Sequence, residues 1–165
     1  MFNNIIEEIN QTLSKINKKK IIGLGRAGNM MWLHFADYID NKKSIYALHV
    51  SGTFRFCNNK QMILGSQDMY TESSSIEWNE NFQWDIQGAN LFDELSEKWL
   101  KKVLEDEVYV SSFQANHYGD LTILLSNNDK IQIFVNNSSE EEVWRFFKIG
   151  DKEPHFVITG QGIES

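Results

Sequence analysis

The chain has 165 residues, one cysteine, 41% hydrophobic and 13% aromatic residues, and a formal net charge of −7. That length fits a single domain over 1–165 with one core, and that composition excludes a disordered chain, a disulfide scaffold and a cysteine-rich zinc site. No apolar run approaches the roughly 18 residues of a membrane-spanning helix, the lone Cys57 points to a reducing compartment, the cytoplasm, and the acidic balance argues against nucleic acid as a partner.

Phe2, Ile5, Ile6, Ile9, Leu13 and Ile16 recur at spacings of three and four, which predicts an amphipathic helix over 2–16. Glu7 and Glu8 inside that pattern are foreign to a signal peptide. Residues 30–39 fit either a helix or a strand in which Met31, Leu33 and Phe35 alternate with Trp32, His34 and Ala36. From Ser44 to Cys57 the alternation is plain, with Tyr46, Leu48, Val50, Phe54 and Phe56 on one parity and His49, Ser51, Thr53 and Arg55 on the other. Asn58, Asn59 and Lys60 supply a turn, and 61–64 is expected to pair back as a hairpin. The polar stretch 67–81 reads as a long surface loop.

Asn90 is placed to cap a second helix over 91–105, with Asp93 and Glu94 at its positive end and Leu91, Leu95, Trp99, Leu100, Val103 and Leu104 on its buried face. Residues 107–115, 121–126 and 130–135 are three strand patterns separated by tight polar turns, which predicts an antiparallel meander. Residues 140–149 have an acidic start that suits a helix and aromatics that suit a strand; 155–159 reads as a strand ended by Gly160 and Gly162. The expected fold is therefore α+β: a curved antiparallel sheet of about six to eight strands covered by the helices at 2–16 and 91–105.

Gly23, Gly25 and Gly28 spell G-x-G-x-x-G, which would make a nicotinamide-nucleotide-dependent reductase one reading. The fingerprint also needs a buried parallel strand before it, a helix starting within it, and an acid about 20 residues on. Here the preceding apolar run is only Ile21-Ile22, the segment at 48–52 reads Leu-His-Val-Ser-Gly with no acid, and the surroundings read as hairpins. The competing reading is a glycine-rich bend that delivers Arg26 and the next element to the core. No cofactor is therefore assigned.

His34, His49, His117 and His155 have no metal-ligand spacing, and no nucleophile elbow exists, so neither a metal nor a catalytic residue is assigned. Trp84-Asp85 and Trp144-Arg145 read as core anchors. His49 and Arg55 share a parity, and with Arg26, Asp68 and Tyr70 they form the candidate ligand or partner set, a polar pocket on the far side of the sheet if they converge. Between Asp68 and Glu107 eleven acids face only Lys98, Lys101 and Lys102, which suits a basic protein partner.

Several segments together resemble a family of uncharacterised small bacterial proteins. They are Gly25-Arg26-Ala27 followed by Met31-Trp32-Leu33; Ala47-Leu48-His49-Val50 and Phe54-Arg55, with Phe54 where the pattern often has Trp; Ile63-Leu64-Gly65-Ser66 with Asp68 and Tyr70; Ile133-Phe134-Val135; Glu142 to Phe147; and His155 to Gly160. The likeness spans about 23–160, and its pattern at the glycine segment is G-R-A, without the full dinucleotide spacing. It implies no activity. It implies a cytosolic protein of the kind found near toxin–antitoxin or toxin–immunity genes, with a non-enzymatic, immunity-type binding domain as the leading expectation.

Overall fold

In a computed structural model, residues 4–40, 43–74 and 81–164 are described. Phe2, at the start of the predicted first helix, and 75–80, within the predicted loop, lie outside them. The chain is α+β, and its described residues form two α-helices and two antiparallel sheets that do not close on each other.

Helix α1 (Ile5–Leu13) starts where Asn4 accepts a hydrogen bond from the Ile6 amide, and it buries Ile9 and Leu13. A 3₁₀ turn, Ser14–Ile16, completes the apolar stripe with a fully buried Ile16. Helix α2 (Leu91–Glu105) has the bounds its periodicity predicts, but its buried side is Phe92, Asp93, Ser96, Trp99 and Val103. Of the expected face only Trp99 and Val103 are buried, and Leu91, Leu95, Leu100 and Leu104 are half-buried, because Arg26 draws Asp93 inward. Asn90 caps the helix by accepting from the Asp93 amide at 2.8 Å.

The first sheet joins β1 (Lys20–Ala27), β2 (Met30–Ala36), β3 (Tyr46–Val50), β9 (Glu142–Lys148), β10 (Phe156–Thr159) and β11 (Gly162–Ile163), in that spatial order. The second is ordered β5 (Met62–Gly65), β4 (Thr53–Cys57), β8 (Lys130–Phe134), β7 (Leu121–Leu125), β6 (Val110–Ala115). Their apolar faces share one core of aliphatic side chains and Phe35, Phe54, Phe56, Phe92 and Trp144. Helix α2 packs on β1 and β5, one edge strand from each sheet, and α1 packs on β6 at the opposite edge of the second sheet.

Both ambiguous segments are strands. Within 30–39 the β2 burial alternates, with Met31, Leu33 and Phe35 inward. Residues 140–149 contribute β9, a central strand between β3 and β10, whose ladder overrides the acidic start. The expected loop at 67–81 is ordered at its start: Ser66–Tyr70 form a 3₁₀ turn that buries Met69, and Ser73 is buried as well.

The alternating run at 44–57 is divided between the two sheets. At Ser51 and Gly52 both amides donate to the Val143 carbonyl, and the chain turns a corner from β3 into β4. A Cβ at Gly52 would lie 2.6 Å from Val143 Cγ1 and 2.9 Å from the Phe134 carbonyl oxygen, so the corner has room only for glycine. Tyr46, Leu48, Val50, Phe54 and Phe56 all contribute to one core, which is why a single parity survives the change of sheet. His49 and Arg55 keep the other parity but face away from the core on two different sheets, so the pocket they were expected to share does not form.

The glycine motif is a hairpin. Gly23 and Gly25 lie inside β1, which pairs antiparallel with β2, and Gly28 opens the two-residue turn at φ +60°. No helix begins there, so the amides a pyrophosphate would need are absent from this segment. Among the described residues no helix is long and apolar enough to cross a membrane.

Candidate functional site

The sequence-derived candidates fall into three places. Arg26 is buried, its side chain 2% exposed, and it holds Asp93 on α2 with two bonds: Nε to Oδ1 at 2.7 Å and Nη2 to Oδ2 at 2.9 Å. It also donates to the carbonyls of Gly28, Trp84 and Ile86, while Asp93 accepts from the Gly88 amide. The bond to Asp93 raises the pKa of the Arg26 guanidinium and keeps it charged against its burial. This buried, fully bonded pair ties β1 to α2 and fixes the chain at 84–88. It is the delivery of Arg26 to the core that the glycine bend predicts. Tyr70 lies nearby, its ring 5.1 Å from that of Trp84 and its hydroxyl accepting from Asn29.

Arg55 and Asp68 share a different place, an apolar cleft of about 470 Å³ beside β4 and β5. Arg55 donates to Gln132 at 2.6 Å and lies over the Phe134 ring, and Asp68 accepts from the Gly65 amide at 2.7 Å, so both are committed to local structure. A larger cleft of about 680 Å³ runs between β1 and α2, but its Asp93 is bonded to Arg26 and its Glu94 to Ser73 and Ser74.

His49 stands apart from all of these, on the outer face of the six-stranded sheet, and that face carries residues the sequence reading left separate. The cross-strand register aligns Gly25, Trp32, His49 and Arg145 in one row and Gly23, His34, Ala47 and Phe147 in the next. The Trp32 indole lies over the glycines: a Cβ at Gly25 would sit 2.7 Å from its Cε2 and one at Gly23 would sit 3.1 Å from its Cζ3. Trp32 and His34 are 4.5 Å apart at ring centroids. His49 meets Phe147 edge-on at 4.9 Å, and His155 stacks on the opposite side of that cluster, 4.0 Å from Phe147 and nearly parallel. Three of the four histidines thus converge through tertiary structure.

Arg145 pairs with Glu142 and donates from Nη1 to His155 Nδ1 at 3.0 Å. Because a guanidinium only donates, Nδ1 of His155 accepts, and its neutral ring carries the proton on Nε2. Burial pushes the pKa of His34 below its ordinary value, with His49 adding to the effect; burial and then Arg145 do the same to His49, against an opposing pull from Glu142. Both shifts favour the neutral ring in His34 and His49. Among the described residues no group of His, Cys, Asp and Glu is close enough to hold a metal ion.

The other sheet shows what an ordinary solvent face looks like in this protein. Its middle row is Gln114, Thr122, Gln132 and Arg55, flanked by Thr53 with Phe134 on one side and by Ser112, Leu124, Lys130 and Cys57 on the other. Among the described residues neither helix packs over the Trp32 face, since α2 meets β1 on the core side through Arg26 and α1 sits on β6. No protein family, curated protein or solved structure matches the chain.

Proposed function

We propose that this chain is a non-enzymatic, protein-binding domain of the immunity type, which acts by occupying a partner, and that its contact surface is the outer face of the six-stranded sheet. The observation that carries the reading is the contrast between the two solvent faces. Trp32, His34, His49, Arg145 and Phe147 gather an indole, two imidazoles, a guanidinium and a phenyl ring in two adjacent rows, where the other sheet sets Leu124, Phe134 and Arg55 among Thr53, Gln114, Thr122, Lys130 and Gln132. Protein interfaces are enriched at their centres in aromatic residues and arginine and depleted of lysine and acids, and a few such residues carry most of the binding energy. Trp32, His34, His49, Arg145 and Phe147 are all half-buried, so much of their surface is already desolvated and held in place before any partner arrives. The immunity-type part of the reading rests on the family resemblance.

The acids at 68–107 support a docking face less well than their number suggests. Asp68, Asp93, Glu94, Asp106 and Glu107 each have a partner inside the protein, and Glu77 and Glu80 lie outside the described residues. The test is capture of the partner from the native host, followed by affinity measurement with purified components. W32A and H49A should each weaken binding by tenfold or more, at about 1.4 kcal/mol per tenfold, while T122A and Q132A on the other sheet leave it unchanged. The reverse pattern, or loss with none of the four, would sink the assignment of this face.

A further inference from the structure

We propose that the partner segment fitting this face is acidic, bringing carboxylates to His49, His155 and Arg145 and an apolar side chain to the Trp32 indole. This rests on the reading of the outer sheet face as the protein-binding surface. It runs against the basic partner that a net charge of −7 suggests.

The charged and titratable groups that face one another here come from five places. His34 comes from β2, His49 from β3, Glu142 and Arg145 from β9, and His155 from the entrance to β10; Glu164, just after β11, acts on Arg145 from the rim. Glu142 is consumed by Arg145, so that pair adds no net charge. Protonation of His34 or His49, whose burial favours the neutral ring, can only add positive charge to the face. His155 holds its Nε2 proton away from Arg145, as a donor for an incoming acceptor. A basic segment would gain nothing from Arg145 or from the His155 Nε2–H, whereas an acidic one would meet both donors beside an apolar platform and favour the protonated rings of His34 and His49.

The platform is specific in shape. Glycines at 23 and 25 let the indole rest against the β1 backbone, which leaves a flat apolar surface beside the imidazole row. Carboxylates seated next to His34 and His49 would reverse the balance that keeps those rings neutral, so binding takes up protons and tightens as the pH falls.

The experiment uses the full chain and two extended peptides, one alternating Asp with Tyr and one alternating Lys with Tyr. The imidazole carbon-bound proton resonances are followed at pH 7.5 and 6.0. The Asp peptide should shift His34, His49 and His155 while leaving His117 in place, and bind about fivefold more tightly at pH 6.0. In H34Q and H49Q that pH dependence should shrink, and the wild-type amide spectrum retained by these variants shows that they fold. Equal engagement of the same face by the Lys peptide would overturn the acidic partner while leaving the protein-binding reading intact. Silence from both peptides, or shifts confined to His117, would count against both.

Discussion

Trp32 lies across Gly25, its direct cross-strand partner, so closely that a Cβ at position 25 would come within 2.7 Å of the indole. Glycine here serves packing rather than backbone conformation, since Gly25 sits inside a regular strand. G25V should therefore push the indole off the sheet and cost about 1–3 kcal/mol, the usual range for overpacking. Gly28 has open space for a Cβ but a φ of +60°. G28A should cost about 1 kcal/mol through the backbone alone and leave the Trp32 indole resonance unmoved. Urea titration with the indole N–H spectrum separates the two mechanisms.

The Arg26–Asp93 pair is the other consequence of this hairpin. Both side chains are nearly sealed from water, at 2% and 4% exposed. Removing one partner leaves a buried charge without its counterpart, so D93N and R26M should each cost about 3–5 kcal/mol in chemical denaturation. The R26M/D93L double variant should cost less than the sum of the single changes, because it buries no lone charge. Additive losses would show that the two residues stabilise the fold separately.

Nicotinamide dinucleotides should not raise the melting temperature. Their pyrophosphate needs a helix N-terminus following the glycines, and here a second antiparallel strand follows. A rise of several degrees at saturating NADH or NADPH, with loss of that rise in G25V, would restore the dinucleotide reading.

Local patterning accounts for much of what was legible. Helix α2 announces itself through Asn90, its acidic first turn and its apolar stripe, and the 121–134 hairpin through alternation around a polar turn. The corner at Gly52 is hidden because one parity serves a core shared by both sheets, which made His49 and Arg55 look like neighbours. The histidine face was missed for a related reason. His34 adjoins His49 only if 30–36 is a strand paired with 46–50, and His155 joins them through the β9–β10 pairing, which no local pattern reveals. Reading Gly23 and Gly25 as seats for an aromatic ring would have been the available signal.

Acid should weaken the fold through the same face. His34 and His49 have folded pKa values below the ordinary 6.5, so the unfolded chain binds protons more readily than the native one. Their contribution is fully present above pH 6.5 and is lost as the pH falls through that value and then through the lower folded values. Stability measured by urea titration should decline over this window. The H34Q/H49Q variant should show a flatter profile than wild type; an unchanged slope would mean that these rings do not carry the effect.

The most direct test of the account is a histidine footprint of the protein with and without its captured partner, read by diethyl pyrocarbonate modification and mass spectrometry. His34, His49 and His155 lie on the outer face of the six-stranded sheet, whereas His117 sits in the turn between β6 and β7 and serves as an internal control. The account predicts protection of the first three on complex formation with His117 modified as before. Protection of His117 alone, or a stable complex that leaves all four equally reactive, would contradict it.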